Sequence, residues 1–200
     1  MKSIGLIGLA FSAIALAQQP PLEVKGVILG ATKAEMLQKM PGASCYSEAT
    51  CTWRTDDIAR QRCGQIGFPA SQAQLDCHVQ LGAELAFGPA RAAQFYVRLL
   101  HERVGEIAVR FRQEKLAEVI IALSEKYGPP GQDVTSEVQN RLGAKFANRI
   151  ATWVMPDGRI QAEQRGLDTD TAQVLFTAEW YRDAKVKEME TKAKASAKGL

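Results

Sequence analysis

The chain reads as an α+β protein: an antiparallel sheet with helices packed on one face, stapled by disulfides and ending in a charged helix. Three observations predict this. Over residues 94–111 apolar side chains recur at every second position, the period of half-buried antiparallel strands. Over residues 113–127 the spacing lengthens to three or four, as a helix with one apolar stripe requires. Four cysteines in 200 residues follow an export-type leader, a setting in which an even count reads as a disulfide framework.

Hydrophobic residues make up 46% of the chain and charged ones 24%, the balance of an ordinary folded domain. A formal charge of +3 is too small and too mixed in sign to imply a nucleic-acid partner. At the N-terminus Lys2 precedes an apolar run from Ile4 to Leu16, closed by Ala15-Leu16-Ala17. This is the pattern of a secretory signal, with cleavage expected between Ala17 and Gln18. The run is shorter than the roughly 20 residues of a spanning helix, and no cysteine follows the cleavage point to carry a lipid. The sequence therefore divides into a signal peptide (1–17), a single α+β domain (18–181) and a charged helical tail (182–200). A periplasmic or secreted location follows, with no membrane span after cleavage.

In chain order, residues 18–22 read as an extended leader and residues 24–29 as a short strand ending at Gly30. Thr32 and Glu35 have the spacing of a capping box, in which hydroxyl and carboxylate satisfy the free amides of a helix start. Met36, Leu37 and Met40 give that helix an apolar side, and Pro41-Gly42 ends it. Gly26-Val27-Ile28-Leu29-Gly30-Ala31-Thr32 resembles the Gly-x-x-Leu-Gly-x-Thr opening of the SmpA/OmlA envelope lipoproteins and the β-lactamase-inhibitor-like proteins. Ala122-Leu123-Ser124-Glu125-Lys126-Tyr127-Gly128-Pro129 is similar to the helix end, with Tyr-Gly-x-Pro, of uncharacterised exported relatives. The resemblance implies an α+β domain with a binding or scaffolding role and supplies no active residues.

Cys45, Cys51, Cys63 and Cys77 allow three pairings. Cys45–Cys51 and Cys63–Cys77 are favoured, because each closes a local loop holding turn formers, Ser47 in one and Gly64 and Gly67 in the other. Loop closure of this size contributes roughly 2–3 kcal/mol per link. The spacings contain no Cys-x-x-Cys, so neither a zinc site with His78 nor a thioredoxin-type centre is expected.

Residues 83–93 are weakly patterned and lead into the clearest stretch of the chain. Phe95, Val97 and Leu99 share one face, opposite Gln94, Tyr96 and Arg98. After a polar turn at His101-Glu102-Arg103, Ile107, Val109 and Phe111 lie opposite Glu106 and Arg110. Leu116, Val119, Ile120, Leu123 and Tyr127 then form the helical stripe, with Gly128 as a left-handed cap and Pro129-Pro130 as a stop. Residues 131–147 read as polar and irregular, with a short helix around 136–142. Residues 150–155 and 159–164 form a hairpin, signalled by Asp157-Gly158. Residues 173–181 alternate again, placing Val174, Phe176, Ala178 and Trp180 on one face. From Arg182 onward the charges fit a solvated helix, with Asp183–Lys187, Glu188–Lys192 and Glu190–Lys194 in the favourable i,i+4 order.

Motifs for chemistry are sparse. The chain has two histidines, and no nucleophile elbow, phosphate loop, zinc-protease motif or dinucleotide fingerprint. Asp56-Asp57 lacks the further oxygen ligands of a calcium loop. Trp53, Trp153 and Trp180 could line a carbohydrate platform, but their strand-like settings suit core packing better. No metal or cofactor is expected. The expected function is an exported, non-enzymatic protein-binding or envelope-scaffolding module, its partner an envelope or exported protein. Its contact face carries Tyr96, Arg98, Glu106 and Arg110, the mixture of aromatic and arginine that suits protein contacts. The alternatives are a small secreted hydrolase using His101 and Glu102, or an inhibitor of an exported enzyme.

Overall fold

The computed structural model describes residues 20–63, 71, 77, 81, 83–140, 142–166, 168 and 170–197. The expected leader (1–17), the turn glycines Gly64 and Gly67, and His78 lie outside them. The described chain is α+β. Strands β3 (Ser44–Ser47), β4 (Thr50–Arg54), β6 (Ala90–Leu100), β7 (Arg103–Arg112), β8 (Gln132–Gln139), β9 (Lys145–Met155), β10 (Gly158–Glu163) and β11 (Thr171–Ala178) form one sheet. Their order across it is β3-β4-β6-β7-β11-β10-β9-β8, and β5 (Ala86–Phe87) pairs with β6 off this path. The pairings are antiparallel. A separate ribbon joins β1 (Glu23–Val24) to β2 (Val27–Ile28).

Helices α1 (Lys33–Lys39), α2 (Thr55–Cys63), α3 (Leu116–Tyr127) and α4 (Glu179–Ala197) accompany the sheet among the described residues. The first three bury apolar residues in one core with the inner face of the sheet. Met36, Ile58, Val119 and Leu123 join Phe95, Val97, Val109, Trp153 and Phe176 there. Tyr127 meets Phe176 edge-on at 6.5 Å between ring centroids. Among the described residues no helix is long and apolar enough to cross a membrane.

Several expectations need correction. The strand expected over 24–29 is instead the β1–β2 ribbon, turned at Lys25 and Gly26, both at positive φ. Residues beyond it are held to β7 by backbone bonds: Gly30 N donates to Val104 O (2.7 Å) and Val104 N to Ala31 O (2.8 Å). The capping box does form. Thr32 N donates to Glu35 Oε2 at 2.7 Å and Glu35 N to Thr32 Oγ1 at 3.3 Å. The Thr32 amide, then its hydroxyl, holds the Glu35 carboxyl below the ordinary range.

Residues 131–147 are not irregular: they hold β8 and the start of β9. Strand β8 is exposed along most of its length, so it shows no apolar alternation to read. The β9–β10 turn centres on Pro156 and Asp157, because Met155 pairs with Gly158. Gly158 is needed there for space, since a Cβ would press on Thr177 O and Ala178 Cα. Trp180 does not extend the strand face either. Strand β11 ends at Ala178, α4 starts at Glu179, and Trp180 stands 39% exposed while Tyr181 turns inward.

Two disulfides staple the chain, Cys45–Cys51 and Cys63–Cys77, the pairs the local-loop argument favours. The first joins directly opposed residues of β3 and β4. The second leaves the last residue of α2. Of the tail pairs expected, Glu188–Lys192 forms at 2.7 Å, with Lys185 adding a second bond to Glu188 at 2.9 Å. These two ammonium groups lower the Glu188 carboxyl to about 2.

Candidate functional site: the outer face of the sheet

Strand pairing sorts the outward side chains into rows that run across the strands. One row reads Val134, Ile150, Glu163, Gln173, Arg110 and Gln94 from β8 to β6. The next reads Gln132, Thr152, Gln161, Leu175, Ala108 and Tyr96. A third reads Val154, Arg159, Thr177, Glu106 and Arg98. The middle row carries no charge, and the charged residues flank it.

The four residues expected to form a contact face come together on the β6–β7 half. The Arg110 guanidinium lies 4.1 Å from the centroid of the Tyr96 ring, a cation–π contact. The Tyr96 hydroxyl donates to Gln94 Oε1. Arg98 pairs with Glu106 across the strands. Glu106 is only 9% exposed and also accepts from Thr177 Oγ1 at 3.3 Å. A carboxylate so far withdrawn from water needs both partners.

At the margin of this half, α4 begins. Its Tyr181 ring lies on Gly105, where a Cβ would fall inside the ring. Gly105 occupies the register shift between the Leu99–Val104 and Arg98–Glu106 pairs, and the bulge makes the bed for the tyrosine. Burial, then the charge of Glu106, pushes the Tyr181 phenol up from its usual value. Arg98, Glu106, Thr177, Tyr181, Arg182 and Lys185 enclose a concavity of about 390 Å³. Lys185 is engaged with Glu188, and Arg182 with Glu179.

Sequence reasoning missed Thr177, Tyr181, Arg182 and Lys185 here. The alternation of β11 would have put Thr177 on the outer side, but nothing local says that β11 lies beside β7.

The other candidates fall elsewhere. His101 and Glu102 form a two-residue turn between Leu100 and Arg103; Arg103, expected in the turn, opens β7. Glu102 is paired with Lys33 at 3.5 Å. Neither residue lines the concavities described here. Trp53 and Trp153 are buried, donating to Pro41 O (3.0 Å) and Gly128 O (2.7 Å), so they build no carbohydrate platform with Trp180. Asp57 is occupied by Arg60 at 3.0 Å and Arg54 at 3.7 Å. Among the described residues no group of His, Cys, Asp and Glu side chains is arranged to hold a metal ion.

A second concavity, of about 590 Å³, lies between the β1–β2 ribbon and α1 and is lined by residues 26–31 with Glu35, Lys39 and Arg103. Two of its charged groups serve the local backbone: Glu35 caps the helix, and Arg103 Nε donates to Gly30 O at 2.9 Å. A third, of about 450 Å³, lies on the outer face over β8, β9 and β10. The chain matches no protein-family model, no curated protein and no solved structure.

Proposed function

We propose that this protein is an exported, non-catalytic binding module that holds another envelope or exported protein against the outer face of its sheet. The observation that carries the reading is the Tyr96–Arg110 stack beside the Arg98–Glu106 pair. An aromatic ring and arginines are the side chains most often found to dominate protein interfaces. Here they are ordered by their neighbours before any partner arrives, which lowers the side-chain entropy lost on binding. Helices α1, α2 and α3 bury their apolar sides on the opposite face. Two disulfides support an oxidising destination. The resemblance of residues 26–32 to envelope-protein openings points the same way.

The test is capture of partners from the envelope fraction by the purified protein and by Tyr96→Ala/Arg110→Gln. These two positions are chosen because neither change strips the cation from Glu106. The double variant should lose at least tenfold in captured partner, while its melting temperature stays within a few degrees of the parent. Undiminished capture by the folded double variant would overturn the assignment of this face.

A further inference from the structure

On the β8–β10 half of the outer face, three aliphatic side chains, two exposed and one half-buried, line one concavity. Val134 stands directly opposite Ile150, and Val154 follows two pleats along β9. Val154 is 72% exposed and Val134 43%. Thr152 sits between Ile150 and Val154 on the strand, flanked by Gln132 and Gln161, and these residues line the 450 Å³ concavity. Its volume is in the range of pockets that hold small ligands or peptide side chains.

Arg159, opposite Val154, completes the lining and differs from the other charges of the face. Arg98 has Glu106, Arg110 has the Tyr96 ring, and Glu163 accepts from Asn148 and Gln173. Among the described residues Arg159 has no carboxylate within ion-pair distance, and its Nε is buried without a hydrogen-bond partner in the chain; the Nε of Arg110 is likewise unbonded, but its guanidinium rests on the Tyr96 ring. A buried Nε left without a partner is costly, while the rest of the half-buried side chain borders the concavity. A carboxylate, which a guanidinium can grip with two parallel bonds, is its best complement.

We infer that this concavity seats an acidic, aliphatic segment of the protein partner, with Arg159 gripping a carboxylate and Val134, Ile150 and Val154 receiving the neighbouring aliphatic side chains. The inference rests on the reading of the outer face as a protein-contact surface, and it adds the chemistry of what is contacted. The amides of Gln132 and Gln161 flank the Thr152 floor and can bond the segment's backbone.

Fluorescein-labelled hexapeptides of alternating leucine and glutamate, leucine and glutamine, or leucine and lysine are the probes, read by anisotropy with the full mature chain. The glutamate peptide should bind at least tenfold more tightly than the glutamine peptide, the value of about one charge-assisted bond. The lysine peptide should be weakest. Arg159→Gln should remove the preference for glutamate, and Arg159→Glu should reverse it in favour of lysine. Absence of binding by all three peptides overturns the inference, as does equal binding of glutamate and glutamine peptides or an unchanged preference in Arg159→Gln. If the peptides are not distinguished while Tyr96→Ala/Arg110→Gln still abolishes partner capture, the acidic segment fails and the binding face stands. If the double variant captures normally, the face itself fails.

Discussion

At the scale of single residues, His101 and Glu102 show how far a side-chain pattern can mislead about chemistry. They are the adjacent histidine and carboxylate that a hydrolase would need, yet both stand in a tight hairpin turn with φ of +51° and +58°. Such turns favour Asn-Gly, because at positive φ a Cβ crowds the following carbonyl oxygen, a clash that Gly lacks and Asn offsets by local hydrogen bonding. The carboxylate of Glu102 makes only an exposed pair with Lys33 at 3.5 Å, the kind that contributes little. His101→Asn/Glu102→Gly should therefore raise stability by about 1 kcal/mol, the relieved strain less the entropy that the new glycine adds to the unfolded chain, read as a higher urea midpoint with an unchanged slope. Partner capture should be unaffected. Lost capture in this better-folded variant would place the His101-Glu102 turn in the partner contact. On the outer face, Tyr96, Arg98, Glu106 and Arg110 could be assigned to one side of a hairpin from their two-residue spacing alone. Their inequality could not. Glu106 is nearly buried while the Arg98 side chain is half exposed, a difference made by Thr177 and Tyr181 from elements far along the chain.

At the scale of elements, what was legible follows from how much apolar surface each element shows on one side. Helix α3 is the clearest case. Its expected stripe of Leu116, Val119, Ile120, Leu123 and Tyr127 is the set of residues it buries. Leu123 is 6% exposed within the core cluster, so Leu123→Ala should cost roughly 2–5 kcal/mol, the range for buried leucine truncations. A loss below about half a kilocalorie, typical of surface positions, would mean that α3 does not pack as described. Strand β8 is the opposite case. Its inner side carries Asp133, which pairs with Arg149 at 2.6 Å, and Val134 points to solvent on the other. An edge strand with polar side chains on both sides gives no periodic signal, which is why residues 136–142 read as a helix. The β9–β10 hairpin was found through the right residues for a different reason, since Gly158 answers a steric demand of the neighbouring strand and not a demand of the turn. Missing β8 also hid the concavity around Arg159, because Val134 supplies one of its walls.

At the scale of the whole molecule, the decisive information is the neighbour relation that joins β7 to β11, residues Arg103–Arg112 to Thr171–Ala178. No local pattern encodes it, yet it places Thr177 against Glu106 and makes the rows of the outer face continuous. It also puts β7 and β11 at the centre of the sheet, with strands on both sides and helices beneath. Helix α4 is placed differently: Tyr181 is buried, but Val186 and Met189 are 43% and 62% exposed, and most of the remaining residues are charged or small. Such a helix is held at one end only, with its free end supported by local pairs such as Glu188–Lys192. Protection against amide exchange follows the free energy of the opening that exposes each amide. Amides of β7 and β11 should therefore exchange only through global unfolding. Protection should fall toward the edge strand β8, and amides of α4 beyond Val186 should exchange fastest among the helices, by end fraying. Hydrogen exchange followed by mass spectrometry on the folded chain reads this order directly. If the distal half of α4 exchanged as slowly as β11, Val186 and Met189 would have to be covered in solution, and α4 would be an interface in place of a solvated extension.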